Sequence, residues 1–333
     1  MNIKKNYSLS NYNSFCVDHS THYFIEIENK NQIVSFLKDK KYFKIDKLIL
    51  GGGSNILFTK DFTGVVLFNK IKGITKIKED ENHIYLRVGS GENWDKFVSF
   101  CVNNNYYGIE NLSLIPGSVG AAPIQNIGAY GVEVKSFIEN VNGIFLDDSN
   151  EKQFDKNSCL FEYRNSIFKR SLKNKFFITS VDFKLNKKEN YNLSYKDLKE
   201  IDIDIITLKN LREKIIEIRN SKLPNPSEIG NAGSFFKNPL VKIDTIEKIK
   251  MNYDDFIYFK DKGRYKIPAA WLIEKCGWKG YKSNNIGVYE KHALVLVNYG
   301  ESKGKKIKRL SEKIIEDVNN KFEIKLESEV NII

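Results

Sequence analysis

Apolar residues recur at two periods along the 333-residue chain. Residues 23–28 alternate weakly, and Ile33, Phe36 and Leu37 then fall at helical spacing. Short apolar runs at 47–50 and 65–68 predict buried strands, and the first runs straight into Gly51-Gly52-Gly53-Ser54-Asn55. A strand at 84–88 and a turn at Gly89-Ser90-Gly91 lead into Trp94, Phe97, Val98, Cys101 and Val102, one face of an amphipathic helix. Phe177, Thr179, Val181, Phe183 and Leu185 alternate as a long strand. Leu211, Ile215 and Ile218 mark a helix ending before Lys222-Leu223-Pro224-Asn225-Pro226, and residues 268–273 predict another with Pro268 in its first turn. A strand at 293–297 precedes a last helix on Ile307, Leu310, Ile314 and Val318. Phe322, Ile324 and Leu326 then predict a half-exposed strand carrying the chain to Glu329. Strands and helices interleave without a regular βαβ period, so the fold class expected is α+β. There is no internal repeat.

The pattern breaks at residues 115–131, I-P-G-S-V-G-A-A-P-I-Q-N-I-G-A-Y-G, which carry no charge and no long side chain between Pro116 and Ala122. Gly117, Gly120, Gly128 and Gly131 allow close backbone approach, and Pro116 and Pro123 stiffen the path. Such a backbone can present several N–H groups to a pyrophosphate. A glycine cluster alone favours an ordinary tight loop. The second cluster, at 51–55, makes one extended dinucleotide the better explanation of both. No Gly-Lys-Ser/Thr and no G-x-G-x-x-G turn follows either strand, so the fold expected is neither a P-loop nor a Rossmann one.

Composition narrows the partners. Hydrophobic residues make up 41% and charged residues 29%, an ordinary globular balance. The formal charge of +11 is spread along the whole chain, and the densest basic run, 303–309, resembles the solvated face of a helix start. No nucleic-acid partner is expected; anionic substrates would be drawn to such a surface. No apolar run approaches the roughly 20 residues of a membrane span, and Met1-Asn2-Ile3-Lys4-Lys5 has no apolar signal core behind it. The expectation is a cytoplasmic monomer without membrane contact. Cys16, Cys101, Cys159 and Cys276 lack C-x-x-C spacing and are expected to be buried free thiols. His19 and His22 stand three apart without completing a ligand set, so no metal site is expected.

L-I-L-G-G-G-S-N and I-P-G-S-V-G-A-A-P-I-Q-N-I-G-A-Y-G, with Y-R-N-S, G-N-A-G-S-F-F-K-N-P and L-E-S-E-V, closely resemble the UDP-N-acetylenolpyruvoylglucosamine reductases. The likeness covers almost the whole chain. It implies a two-part FAD-binding region of the vanillyl-alcohol-oxidase/p-cresol-methylhydroxylase type and a C-terminal substrate-binding α+β domain. The implied parts are 1–71, joined by a returning strand at 322–333, then 72–204 and 205–321. It also implies FAD and NADPH as cofactors, with reduction of UDP-N-acetylglucosamine enolpyruvate to UDP-N-acetylmuramate in peptidoglycan synthesis.

By the same resemblance Gly51, Gly52, Gly53, Ser54, Asn55, Pro116, Gly117, Ser118, Gly120, Ala121, Gln125, Asn126 and Gly128 hold the cofactor. Arg164 engages the substrate carboxylate, where its planar fork suits a growing charge. Glu329 stabilises the same carboxylate as a protonated acid, and Ser234 gives a proton to carbon. Tyr130, Tyr195 (resembling the lid tyrosine of one subtype), Arg219, Lys222, Asn238 and His292 match substrate contacts. Taken without the resemblance, Ser234 could cap a turn, Glu329 could sit on a strand's polar face, and Arg219 and Lys222 could serve a helix C-terminus.

Three positions depart from the family pattern. His292 stands where relatives often carry Gln, leaving the donor pattern open. Ser328 and Asn331 stand where Pro and Arg commonly flank the acid, which puts affinity in doubt. No histidine lies in either glycine loop, so a non-covalent flavin is expected. Two other readings stay open: a flavin oxidase of the same fold, and a nucleotide-sugar binding protein without catalysis.

Overall fold

The computed structural model describes residues 2–199, 206–261, 263–300 and 303–333. They form two compact units: residues 2–7, 21–53 and 62–221 in the first, 8–20, 54–61 and 222–333 in the second. The chain therefore changes unit at Gly53 and Ser54, inside the first glycine cluster.

The first unit holds two larger sheets, beside the two-stranded pairing of Gly128–Ala129 with Val132–Glu133. In one, strands Ser20–Ile27 and Lys47–Leu50 each run parallel to Phe62–Asn69, which lies between them. Helix Lys30–Lys38 turns Ile33 and Phe36 onto this sheet, against Ile25, Ile27, Val65 and Leu67. Asn29 starts the helix by accepting from the Gln32 N–H at 3.1 Å, and Gln32 accepts from the Glu28 N–H at 2.7 Å, a reciprocal cap. The other sheet is antiparallel, in the order Glu151–Asp155, Ile138–Phe145, Phe176–Asn186, His83–Gly89, Ile74–Glu79. The helix predicted from 94 spans Trp94–Asn103 and buries all five expected apolar residues. Its Trp94 packs on Phe97 and Phe183 and donates its indole N–H to the Leu112 carbonyl at 2.8 Å.

The second unit carries an antiparallel sheet in the order Gly230–Ser234, Val295–Asn298, Ile286–Val288, Lys282–Ser283. Helix Gly304–Phe322 lies on it through Ile307, Leu310, Ile314 and Val318. The basic run begins this helix, with Lys305, Lys306 and Arg309 exposed.

Two expectations are corrected. Phe322 ends that helix, Glu323 takes a left-handed φ of 56°, and no ladder forms over 324–327. Ile324 and Leu326 are nonetheless buried, so the alternation reports an extended segment packed on one side. The only strand beyond the helix among the described residues is Asn331–Ile332, parallel to Ile56–Leu57. Of the four free cysteines, Cys101 and Cys159 are buried, but Cys16 is exposed and Cys276 half-buried. Cys16 has φ 55° in a turn whose interior is filled by Asn13, bonded to the Leu9 and Val17 carbonyls and the Val17 N–H.

Glu110, 1% exposed, accepts from the Gly108 N–H at 2.6 Å, and burial raises its pKa to about 7. Between its ordinary value near 4.5 and 7 the fold holds a proton that the unfolded chain releases. Its contribution to stability is therefore full below about pH 4.5 and lost as pH rises through about 7. Glu110→Gln, always neutral, should gain about 3 kcal/mol on wild type between pH 5 and pH 8. Urea unfolding at the two pH values measures it; an equal difference at both would show Glu110 ionised in the fold.

Candidate active site

In the first unit the two glycine clusters lie against each other. A methyl group on Gly52 would come within 2.9 Å of Gly117 Cα, and one on Gly51 would strike the Ser118 hydroxyl. The second loop is fixed from behind: the Trp94 N–H donates to Gly117 O at 3.1 Å, the Val119 N–H to Glu92 O at 2.9 Å, and the Gly120 N–H to Ser90 O at 2.8 Å. Ser90 is held by Asn69, whose amide also donates to the Ile178 carbonyl. Among the described residues, the amides of Gly52, Gly53, Gly117 and Ser118 donate to no protein acceptor. Paired loops without side chains, with unmatched N–H groups, are the cradle a pyrophosphate requires.

Arg164 stands in a tight turn closed by the Glu162–Asn165 bridge, with φ 52°. Its guanidinium donates to Gly128 O at 2.6 Å and Asn126 O at 3.5 Å. Asn126 is fully buried, and its amide is committed to Glu133, the Glu162 carbonyl and the Lys135 N–H. Gln125 accepts from Lys169 at 3.4 Å. Pro116, Gly120 and Ala121 belong to the loop as expected.

Tyr130, at φ 46°, packs edge-on against Tyr195, with ring centroids 5.2 Å apart. Tyr195 is 44% exposed. Burial pushes the Tyr130 phenol up, partly offset by the Arg219 charge. Burial pulls Arg219 down, against the favourable charges of Tyr130 and Asp95, and its buried Nε has no partner among the described residues. Asp95 pairs bidentately with Arg212 at 2.8 and 2.9 Å. Burial raises the Asp95 pKa, but Arg212 and the Leu114 N–H outweigh it, leaving the carboxyl below its ordinary range. Asp95 is thus paired with Arg212, and Arg219 feels its charge without a bond to it, an excess of positive charge that suits a diphosphate. Asp95 and Arg212 carried no sequence signal, being 117 residues apart.

The second unit holds Ser54, Asn55, Lys222, Ser234, Asn238, His292 and Glu329. Asn231 pairs with Val297 and Ser234 with Val295, so one extra residue bulges between them. Gly233, at φ 66°, takes that bulge, and its N–H donates to the Asn231 side chain at 2.9 Å. Bulges re-aim side chains, and this one sets the direction of half-buried Ser234, whose hydroxyl has no protein partner among the described residues. Phe235 and Phe236 are buried behind it. The segment carrying Glu329 is bound to this same stretch: the Glu329 N–H donates to Phe235 O at 2.8 Å, and the Lys237 N–H to Glu327 O at 2.9 Å. Asn55 donates to Glu329 O at 3.3 Å, and both the backbone and side-chain nitrogens of Asn331 donate to Asn55 O at 3.1 Å. At 331, then, the chain uses an amide to lock the end of the glycine loop, and Ser328 bridges Phe236.

The Asn238 oxygen accepts from the Ala269 N–H at 2.8 Å, capping helix Ala269–Lys275. His292 Nδ1 accepts from the Leu294 N–H at 3.2 Å, so its proton is carried by Nε2. Burial, with Lys222 and Lys279, lowers its pKa and keeps it neutral. Neutral His292 presents one N–H donor, where a glutamine amide would present two. No group of three His, Cys, Asp or Glu among the described residues is placed to hold a metal ion.

These features define a flavin-binding class of protein: residues 21–148 match the FAD binding domain, and 225–333 match the C-terminal domain of UDP-N-acetylenolpyruvoylglucosamine reductase. The chain is 43% identical to the UDP-N-acetylenolpyruvoylglucosamine reductase of Amoebophilus asiaticus and 44% identical to that of Porphyromonas gingivalis, in each case over all of both chains. It belongs to the UDP-N-acetylenolpyruvoylglucosamine reductase family. The crystal structure of the Thermus caldophilus enzyme of that name has the same fold, with a TM-score of 0.70 at 20% identity over 100% of this chain and 99% of that one.

The contact between the glycine loops can be tested. Gly52→Ala forces backbone from backbone, so flavin affinity should fall about tenfold or more, roughly 1.4 kcal/mol per factor of ten. Flavin retained per chain after gel filtration measures it; unchanged retention would separate this contact from cofactor binding.

Proposed function

We propose that this chain catalyses the NADPH-dependent, FAD-mediated reduction of UDP-N-acetylglucosamine enolpyruvate to UDP-N-acetylmuramate, a step of peptidoglycan precursor synthesis. The observation that carries the reading is the isolated Phe236–Ser328 bridge with its two flanking backbone bonds, which sets Glu329 beside the stretch that follows Ser234. The oxidase alternative does not call for a hydroxyl and a carboxylic acid in these two contexts. A binding protein does not call for Ser234 to be aimed by a bulge.

Residues 51–55 and 116–128 would hold FAD, which would supply the transfer of two electrons and a proton, drawn from NADPH, to the substrate's terminal methylene carbon. That addition leaves negative charge on the carbon bearing the carboxylate, delocalised into it. Arg164 binds that carboxylate through its fork, its position fixed by the Gly128 and Asn126 carbonyls. Glu329 serves protonated, because a carboxyl pressed against another carboxylate has a raised pKa. Ser234 then gives its proton to carbon, a weak acid made effective by placement. Tyr130, Tyr195, Arg219 and Lys222 take the diphosphate, while the Asn238 amide and the His292 Nε2–H complete the sugar contacts. Residues 1–71 and 72–204, with 322–333, form the FAD-binding part, and 205–321 the substrate part. No helix of the described residues is long and apolar enough to cross a membrane, and free cysteines fit a reducing compartment; the reading places the protein in the cytoplasm as a monomer.

Ser234→Ala separates the two half-reactions. Flavin reduction by NADPH creates no carbanion and should proceed nearly unchanged, whereas reoxidation by the enolpyruvyl substrate should slow by roughly 10²–10⁴. Stopped-flow absorbance at the flavin band reads both. Equal slowing of the two would make Ser234 structural, and no slowing would place the donor elsewhere.

A further inference from the structure

One residue ties together the backbones of the two segments that carry the tyrosines. Asn111, with a fully buried side chain, donates from one nitrogen to two backbone carbonyls: Tyr130 O at 2.9 Å and Asn192 O at 2.8 Å. These belong to segments 19 and 81 residues away. Both acceptors are carbonyls, so the orientation of the amide is fixed, and its oxygen is left buried without a partner among the described residues. Asparagine alone supplies two donors at this reach; aspartate would set charge against both carbonyls, and leucine would leave both unmatched.

Each bond acts on one tyrosine. On one side it anchors Tyr130, which at φ 46° holds a conformation rare for a side-chain-bearing residue. On the other it anchors Asn192, whose side-chain oxygen accepts from the Ser194 N–H at 3.1 Å and the Ser194 hydroxyl at 2.6 Å. That turn delivers Tyr195, the next residue. The Asn192 amide also reaches Gly131 O at 3.4 Å, so the two segments are cross-tied a second time. The geometry points to Asn111 as a positioning residue: it sets the Tyr130–Tyr195 ring pair beside Arg219, and so governs affinity for the nucleotide-sugar. This rests on the function proposed above.

The test uses flavin-loaded enzyme and UDP-N-acetylglucosamine enolpyruvate. Asn111→Leu and Asn111→Asp should raise its equilibrium Kd, measured by calorimetry, and its KM about tenfold. The limiting rate of substrate reduction should change far less. In a Tyr195→Ala background the same substitutions should raise Kd much less, because the side chain acts through that ring. Asn192→Ala, which cuts only the second tie, should move Kd in the same direction and guards against an Asn111 variant that fails to fold. An unchanged Kd overturns the proposal, as does an equal rise in both backgrounds, which would mean general loosening. Substrate that binds wild type without being reduced overturns the function but leaves this proposal to stand on Kd. Wild type that does not bind it overturns both.

Discussion

The backbone contact of Gly52 with Gly117 is the constraint on which the first unit's chemistry depends. At 2.9 Å from a hypothetical methyl group there is no room for any side chain, and neither loop makes this contact unaided. One is delivered by a buried strand in a parallel pairing. The other is pinned at Gly117, Val119 and Gly120 to residues 90–94. Asn69 and Ser90, both buried, hold that platform to the long strand Phe176–Asn186 through the Ile178 carbonyl. Glycine here does two things at once: it allows the approach, and it leaves amides facing outward with no protein acceptor. An anion arriving there would meet donors that no protein acceptor has taken.

The second unit solves a different problem, aiming the side chain proposed as proton donor. Ser234 needs a direction more than an environment, and the bulge at Gly233 with its Asn231 brace gives one. Asn231 is itself locked by the Pro224 and Ile229 carbonyls and by its N–H on Ser14 O. The isolated bridge at Ser328 and the Asn55–Asn331 clasp fix where Glu329 leaves the backbone. Asn331 shows how a departure from a family pattern can be structural: the amide that stands there is used on the Asn55 carbonyl.

Legibility followed the range of the interaction. The helix faces of Trp94–Asn103 and Gly304–Phe322 were plain, because a 3.6-residue period is local. The glycine loops were plain as motifs, and the roles proposed for Arg164, Ser234 and Glu329 come from the resemblance. Strand order was not legible: Phe62–Asn69 inserts between two strands that precede it, a choice made by distant pairing. The segment after Phe322 misled because alternating burial survives without a ladder. Asn111, Asn231, Asp95 and Arg212 were silent, since each works through partners brought near only by folding.

The most direct test is an anaerobic spectrum of the purified wild-type protein. The account predicts flavin bands that NADPH bleaches and that one equivalent of UDP-N-acetylglucosamine enolpyruvate restores, with UDP-N-acetylmuramate formed in equal amount. Bands that NADPH leaves unchanged, or that return with oxygen but not with the enolpyruvyl sugar, would contradict it.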